Sequence, residues 1–230
     1  MIFWGVGLGP GDPELVTLKA LRVLGEAGAV FLPISGKGRK SVAGAILDAH
    51  IRRETIPVHF PMVRDDGTRD SMLREELART LPLWRGASSL ALPVIGDSAL
   101  YATAAYLYSV LQETVPEIEL GLVPGISAHS LASSRAGRFL ALGDENLSVI
   151  PGTAPEAKIR SMLAASDAAV IYKPSALGSS LLRVVQETGP WSTIIRVDRA
   201  GMDDERITEG ISALCASDEY LSVVELLRYR

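Results

Sequence analysis

The chain is poor in the residues that metal binding, disulfides and histidine-based hydrolysis require. Its 230 residues include one cysteine, Cys215, and three widely spaced histidines, His50, His59 and His129. A single cysteine cannot form an intrachain disulfide, and the sequence has neither a zinc-type cysteine pair nor a His-Glu-x-x-His motif. We therefore expect no metal site and no disulfide. A hydrolase built on serine, histidine and aspartate is a poor fit.

Long apolar runs and an excess of basic charge are also missing. No apolar run reaches the roughly 18 residues needed to cross a bilayer, and the first residues lack the cationic start of a signal peptide. The formal net charge of −4 argues against a general nucleic-acid-binding protein. The sequence therefore predicts a cytoplasmic protein with no nucleic-acid or membrane partner. Hydrophobic residues still make up 47% of the chain, enough to bury a core.

What the chain does have is a regular alternation of β-rich runs with helical stretches. Strands are predicted at Ile2–Val6, Ala29–Leu32, Ile56–Phe60, Ser89–Ile95, Ile118–Val123, Leu147–Ile150, Ala168–Tyr172, Thr193–Val197 and Leu221–Leu226. Helices separate most of these strands, a pattern that favours parallel sheets with right-handed crossovers. A turn at Pro116 divides the pattern, so we predict two α/β domains, residues 1–116 and 117–230, with mostly parallel sheets.

The first helix has the clearest sequence signals. Asp12-Pro13-Glu14 combines a capping side chain, a proline suited to the first helical turn and an acid at the positive end of the helix dipole. Leucines then recur at helical spacing, which predicts one buried face made of Leu15, Leu18, Leu21 and Leu24.

Three glycine-containing turns indicate a ligand site. They are Gly5–Asp12, Gly96–Tyr101 and Val123–Ala128, and each follows a predicted strand and precedes a helix. Parallel sheets bind ligands at the carboxyl ends of their strands, where such turns lie. Glycine permits positive φ and close approach of a ligand to the backbone. One such turn could reflect turn geometry alone, but three together favour a binding site.

The first turn superficially suits a dinucleotide. However, Gly5, Gly7 and Gly9 are followed by Pro10, which lacks the backbone donor that a pyrophosphate could use. The second strand ends at Leu32-Pro33, where a nicotinamide enzyme would need an acidic residue. A nicotinamide-dependent oxidoreductase is therefore only an alternative.

At these turns the sequence resembles the tetrapyrrole methylase family, the methyltransferases of cobalamin and siroheme biosynthesis. The stretch from Gly5 to Ala20, the Gly96-Asp97 turn with Leu100-Tyr101, and Pro124–Ala128 are similar to that family's successive motifs. The resemblance implies two α/β domains with a cleft between them that binds S-adenosylmethionine. It also implies a homodimer.

The same resemblance implies which residues bind the cofactor. By position they are Pro10, Ile95, Gly96, Asp97, Leu100, Ser127, Ala128, Lys173 and Ala200. Lys173 and Ala200 depend on weaker motifs. Asp97 is the preferred contact to the sulfonium or the amino group, although bracing of its own turn is the alternative. Ser98 stands where the family usually has proline, which leaves open a non-catalytic protein that binds the cofactor or a tetrapyrrole.

Within the family, the precorrin-2 C(20)-methyltransferase group is the most similar branch. The stretches Phe31–Ser35 and Phe60–Met62 carry that similarity. It implies methylation of precorrin-2 or cobalt-factor II at C(20), with another ring position or the siroheme branch as alternatives. The substrate's own electron-rich meso carbon is the nucleophile, so we assign no catalytic residue.

Substrate contacts are predicted from the carboxylates of early corrin intermediates. The basic loop containing Lys37, Arg39 and Lys40 is a candidate clamp for them, with Arg64 as a second one. Met62 could offer an adaptable apolar surface to the flat macrocycle, and Tyr101 could border it.

Overall fold

A computed structural model describes residues 1–34, 41–61, 63 and 65–229. The chain divides into two compact units, Met1–Ser127 and Ala128–Arg230. Every strand predicted from the sequence is present within a residue or two at its ends. The prediction of two α/β units is therefore confirmed. Among the described residues, no helix is both long enough and apolar enough to span a membrane.

The first unit contains a five-stranded sheet with helices on its connections. Its strands are β1 (Ile2–Gly7), β2 (Ala29–Ile34), β3 (Ile56–His59), β4 (Ser89–Val94) and β5 (Glu119–Val123). Its α-helices are α1 (Leu18–Glu26), α2 (Val42–Asp48), α3 (Asp66–Trp84) and α4 (Ala104–Thr114). The strand order is β3-β2-β4-β1-β5, and all of the pairings are parallel.

The first helix begins later than the sequence predicts. Asp12 accepts a hydrogen bond from the N–H of Glu14 and caps only a short 3₁₀ turn, Pro13–Leu15. Thr17 then caps α1 by accepting from the N–H of Ala20 at 3.1 Å. The predicted leucine face was therefore wrong in part, because the new start rotates Leu18 outward, where it is 86% exposed. The buried face consists of Ala20, Val23 and Leu24.

The second unit also contains a five-stranded sheet. Its strands are β6 (Leu147–Pro151), β7 (Ala168–Tyr172), β8 (Thr193–Asp198), β9 (Arg206–Glu209) and β10 (Ser222–Leu227). Its α-helices are α5 (Ala128–Ala136), α6 (Glu156–Ala164) and α7 (Ser180–Thr188). The strand order is β6-β7-β10-β8-β9.

The expectation that this second sheet is mostly parallel was wrong. Only β6 and β7 pair in parallel, whereas β10 is antiparallel to both β7 and β8, and β8 is antiparallel to β9. The reason lies in the connections. A parallel pair needs a crossover of a dozen or more residues, but β8 and β9 are joined by residues 199–205 alone. The sequence analysis missed β9, a short and largely exposed strand.

The boundary between the units also differs from the predicted one. Residues 117–127 were assigned to the second domain, yet β5 pairs with β1 from Ile2↔Glu119 to Val6↔Val123. Its hydrogen bonds therefore tie this stretch to the first sheet. The compact units divide after Ser127, at the start of α5.

Candidate functional site

The first unit has a switch point at the carboxyl ends of β1 and β4. The β1–β2 connection carries α1, which packs with Val6 and Ala91 on one face of the sheet. The β4–β5 connection carries α4, which packs with Phe3 and Leu92 on the other face. Because the two connections leave toward opposite neighbours, the ends of β1 and β4 form a topological switch point, the place where open parallel sheets bind ligands. The glycine turns singled out from the sequence lie there.

The loops after β1 and β4 are joined through their backbones. The N–H of Gly96 donates to the carbonyl of Gly9 at 2.7 Å, and the N–H of Gly9 donates back to the carbonyl of Gly96 at 3.2 Å. The N–H of Leu8 donates to the carbonyl of Val94 at 2.9 Å. Pro10, a predicted cofactor contact, follows this bridge and is buried. The two loops are thus held in a fixed relation without any side chain.

The third turn packs against the same bridge, with no room for a side chain. A Cβ atom added to Gly125 would lie 2.3 Å from the carbonyl oxygen of Gly96, and one added to Gly7 would lie 2.6 Å from the nitrogen of Gly125. Both obstacles are backbone atoms that a rotamer change cannot move. We call Gly7, Gly96 and Gly125 the glycine contact. The close approach explains why positions 7 and 125 need glycine, whereas at Gly96 the positive φ of 76° favours it.

Asp97 and Ser98 brace the second turn and join it to the third. The two carboxylate oxygens of Asp97 accept hydrogen bonds from the N–H of Ala99 at 2.8 Å and the N–H of Gly125 at 3.0 Å. The hydroxyl of Ser98, 4% exposed, donates to the carbonyl of Val123 at 2.8 Å. Serine in place of proline therefore keeps the turn closed by a hydrogen bond. The geometry supports the bracing role of Asp97, while its contact with a cofactor stays a prediction.

Residues with positive φ lie in the segments that follow β4, β7 and β8. Within the described part of the chain, the non-glycine residues with positive φ are Tyr101, Lys173 and Arg199, at 52°, 54° and 54°. Such conformations cost about 1–3 kcal/mol each and cluster at functional sites. The sequence prediction included Tyr101 and Lys173, and Arg199 directly precedes Ala200.

Tyr101 ends the turn after β4. It is 44% exposed, and partial desolvation raises the pKa of its hydroxyl. Two other predicted contacts in this turn, Ile95 and Leu100, are half-buried. Gly96 has φ of 76°, and a Cβ added there would meet no atom within 4 Å. The turn therefore presents open space in front of Gly96.

In the second unit, Lys173 lies at the end of β7. It precedes the 3₁₀ turn Pro174–Leu177, and its Nζ lies 5.9 Å from the centre of the Tyr220 ring. The neighbouring loop has another close contact, because a Cβ added to Gly152 would lie 2.5 Å from the carbonyl oxygen of Lys173. The N–H of Gly152 also donates to the carbonyl of Tyr172 at 2.7 Å.

Ala200 lies in the loop after β8 and is buried. Side chains hold both of its neighbours: Arg199 Nε donates to Asp204 at 2.6 Å, and the N–H of Gly201 donates to Glu205 at 2.6 Å. Glu205 in turn pairs with Arg135 of α5 at 3.2 Å. The carboxylates of Asp204 and Glu205 therefore hold the loop that contains Ala200.

Ser127 and Ala128 are half-buried at the start of α5. The next residue, His129, lies against Tyr172, with its Nδ1 2.8 Å from the phenol oxygen. The backbone N–H of His129 also donates to that oxygen, at 3.3 Å. Tyr172 thereby fixes the first turn of α5, a contact that the sequence analysis did not predict.

The predicted substrate contacts fall mostly outside the described residues. Lys37, Arg39, Lys40, Met62 and Arg64 belong to this group. Tyr101 is the member that the structure describes.

The sequence reasoning missed Gly152, Tyr172 and Arg199. A signal for Gly152 was available, because Ile150-Pro151-Gly152 repeats the pattern of Val123-Pro124-Gly125 at the end of another strand. Tyr172 and Arg199 gave no comparable signal, since a hydrogen bond across the fold and a positive φ at arginine have no sequence signature.

The arrangement suits a ligand held by backbone rather than an acid–base centre. Among the described residues, no group of three or more His, Cys, Asp or Glu could hold a metal ion. Three turns meet at one edge of the first sheet, with open space at Gly96 and a carboxylate beside it. The open space therefore lies at a turn whose carboxylate accepts two backbone hydrogen bonds.

Comparison with known proteins gives consistent matches. The model of the family "Tetrapyrrole (Corrin/Porphyrin) Methylases" matches residues 3–213. The cobalamin biosynthesis protein CobIJ of Mycobacterium tuberculosis is 30% identical over 97% of this chain. The match covers 45% of CobIJ, so this chain spans about half the length of that relative.

Two further relatives match over most of their length. The probable cobalt-precorrin-2 C(20)-methyltransferase of Methanocaldococcus jannaschii is 31% identical, covering 99% of this chain and 96% of the relative. The precorrin-2 C(20)-methyltransferase of Sinorhizobium sp is 31% identical over 89% of this chain and 86% of the relative. The solved uroporphyrin-III C-methyl transferase of Thermus thermophilus, complexed with S-adenyl homocysteine, is 20% identical with a TM-score of 0.70, covering 99% and 92% of the two chains. This last likeness shows the fold.

Proposed function

Because the chain belongs to the tetrapyrrole (corrin/porphyrin) methylase family, we propose that it transfers a methyl group from S-adenosylmethionine to C(20) of an early corrin intermediate. The proposed substrate is precorrin-2 or its cobalt form, and the proposed pathway is cobalamin biosynthesis. The observation that carries the proposal is the glycine contact. It joins the three turns that resemble the family's motifs at one edge of the first sheet.

The proposed cofactor residues supply position more than chemistry. S-adenosylmethionine, when bound, provides a methyl group on a positively charged sulfur. The backbone at Gly96 leaves space for a ligand to approach, and Asp97 holds the turn with both carboxylate oxygens. Holding two reactants in line can contribute about 7–11 kcal/mol to the lowering of a barrier. This suits a reaction whose nucleophile is the substrate itself.

The other proposed cofactor residues lie on similarly fixed backbone. Pro10 follows the Gly9–Gly96 bridge, and Ala128 begins the helix that Tyr172 fixes. Lys173 and Ala200 lie at the ends of β7 and β8, where Lys173 and Arg199 have positive φ. Ile95, Leu100 and Ser127 complete the proposed set. The basic residues Lys37, Arg39, Lys40 and Arg64, with Met62 and Tyr101, are proposed substrate contacts.

Each metallation state of the proposed substrate is supported by one relative. One is named for cobalt-precorrin-2 and the other for precorrin-2, at the same identity of 31%. We also propose that the chain forms a homodimer and acts in the cytoplasm. A sedimentation measurement that gives a monomer at working concentration would contradict the dimer.

An anaerobic assay tests the proposed reaction. The protein is incubated with S-adenosylmethionine carrying a ¹³C-labelled methyl group and, separately, with precorrin-2 or cobalt-precorrin-2. We expect one labelled methyl group on the product, which carbon NMR places at C(20), with one of the two substrates turned over faster. A label at another ring carbon would assign the chain to a different branch of the family. Binding without any transfer would contradict the enzymatic proposal.

A further inference from the structure

Glu225 is a buried carboxylic acid whose oxygens have no hydrogen-bond partner among the described residues. It lies in β10, the central strand of the second sheet, and is 0% exposed. An isolated ionised carboxylate is far too costly to keep in such surroundings, so the group stays neutral instead. Burial accordingly raises the pKa of Glu225 to about 8.

The strand register shows which face of the sheet Glu225 occupies. Its Cα partners are Val170 on β7 and Ile195 on β8, and its side chain shares their face. The adjacent residues Val224 and Leu226 point to the opposite face, where they pack in the cluster that includes α6 and α7.

Helix α5 packs against β10, and its contacts place it on the Glu225 face. His129 of α5 bonds the hydroxyl of Tyr172, whose strand partner is Val223. Val223 and Glu225 are two apart in the strand and therefore share a face. The helix buries Leu131, Ala132 and Ser133, and the hydroxyl of Ser133 donates to the carbonyl of Arg138, so Glu225 lies on the sheet face against which α5 packs.

The described ionisable groups on the elements packed around Glu225 do not neutralise the charge that its carboxylate would carry. On α5, His129 is bonded to Tyr172, and Arg135 is paired with Glu205. Among the described strand residues, Tyr172 and the exposed Glu209 of edge strand β9 are the ionisable side chains on this face, and neither is a cation. The buried pair Arg196–Asp198 of β8 alternates with Ile195 and Val197 and so points to the other face. Within the part of the chain that the structure describes, an ionised Glu225 would have no cation beside it.

We propose that Glu225 is a proton-operated latch for α5. With its proton, the neutral carboxyl lets α5 seat on β10; without it, α5 loosens so that water can reach the carboxylate. The latch itself is independent of the proposed function. Its consequence rests on that function, because α5 begins at Ala128, a proposed cofactor contact, and loosening the helix weakens cofactor binding.

The direction of the pH dependence follows from linkage. In the loosened state Glu225 contacts water and titrates near its ordinary value of 4.5, while in the seated state it titrates near 8. Between these values the loosened state has lost the proton and the seated state has kept it. The equilibrium constant for opening α5 therefore rises about tenfold for each pH unit in this range and levels off above it.

Hydrogen exchange of the α5 amides tests the latch. Exchange is followed from pH 5.5 to 9, corrected for intrinsic rates, in the wild type, in Glu225→Gln and in Glu209→Gln as a matched control. Glu209 is exposed on edge strand β9, opposite Ile195 and on the same face. We expect opening to rise about tenfold per pH unit in the wild type and in the control, and to stay constant in Glu225→Gln. A profile in Glu225→Gln that parallels the wild type would overturn the latch.

A second variant and a second readout keep the outcomes distinct. If Glu225→Gln does not fold, Glu225→Met removes the same ionisation with an apolar side chain of similar size. Titration with S-adenosylhomocysteine should show wild-type affinity falling at least about threefold from pH 6 to 8.5, with no change in the Glu225 variant. If the wild-type affinity does not change with pH, the proposal that loosening of α5 weakens cofactor binding is wrong. Absence of binding at every pH would contradict the proposed function, while α5 exchange still decides the latch.

Discussion

The two units differ in the polar side chains that they bury. In the first unit, the buried polar side chains of the described residues are the neutral Thr80 and Ser98, and both donate to backbone carbonyls. The three turns are held by backbone contact at Gly7, Gly96 and Gly125. In the second unit, the buried polar set includes the charged or ionisable Arg196, Asp198 and Glu225.

Because of this difference, the two units should respond to different perturbations. Backbone packed against backbone leaves no room for a side chain, so the turns of the first unit should respond to added atoms. A buried carboxylic acid depends on its proton, so the second unit should respond to pH. Variants in one unit and their counterparts in the other can test the contrast.

The largest effect is expected from Gly125→Ala. Its Cβ would lie 2.3 Å from the carbonyl oxygen of Gly96 and would force the three turns apart. We expect affinity for S-adenosylhomocysteine to fall more than 100-fold, measured by calorimetry, because alignment of the loops is lost. Gly86→Ala is the control, since a Cβ there meets nothing within 4 Å. Wild-type affinity in Gly125→Ala would show that the close backbone packing of these turns is not needed for binding.

The next effect is the pH dependence of the second unit. The raised pKa of Glu225 means that the folded state holds a proton that the unfolded state has released between about 4.5 and 8. Stability should therefore fall by up to about 1.4 kcal/mol for each pH unit across this window and not change further above it. Denaturant unfolding of the wild type and Glu225→Gln at several pH values measures this. Equal slopes in the two proteins would show that another group is responsible.

A pair of arginines compares helix ends in the two units. Arg228 donates to carbonyls at the ends of α6 and α7, among them Leu163 at 3.0 Å and Thr188 at 3.0 Å, and lies over the Trp191 ring. Arg53 donates to the carbonyl of Leu24 in the last turn of α1 and to that of Ala27 just after the helix.

We expect Arg228→Leu to cost about 3 kcal/mol and Arg53→Leu about half of that, because the former leaves more carbonyls without a donor. Urea unfolding of both variants checks the ranking. A larger cost for Arg53→Leu would reverse this part of the comparison.

The smallest effect is expected from Ser98→Ala. Its hydroxyl is the side-chain link from the turn after β4 to the end of β5, through the carbonyl of Val123. Losing one buried hydrogen bond should cost about 1 kcal/mol, and affinity for S-adenosylhomocysteine should change less than in Gly125→Ala. Thermal unfolding and calorimetry measure the two quantities. A loss of binding as large as that of Gly125→Ala would show that Ser98, and not the glycine contact, holds the turns.

Much of the first unit could be predicted from the sequence because its signals are local. Strand–glycine–helix patterns placed the turns after β1, β4 and β5, and parallel strands bring such turns to one edge. The later start of α1 was missed, because Pro13 and Thr17 both offer valid helix starts and only packing selects Thr17.

The second unit was less predictable because its determinants are not local. Alternation of strands and helices suggests a parallel sheet, but β10 inserts between β7 and β8 from far along the chain. In the sequence Glu225 is a single acid within an apolar run, and only the register shows that it lies between Val170 of β7 and Ile195 of β8. The bond between His129 and Tyr172 likewise joins residues 43 positions apart.

The most direct test of the account is a crystal structure of the protein grown with S-adenosylhomocysteine. We expect the ligand within van der Waals contact, about 4 Å, of Gly96 and Asp97, with the Gly9–Gly96 bridge intact. Ligand density elsewhere on the chain, with the turns at Gly7, Gly96 and Gly125 making no contact to it, would contradict the claim that these turns form the cofactor site.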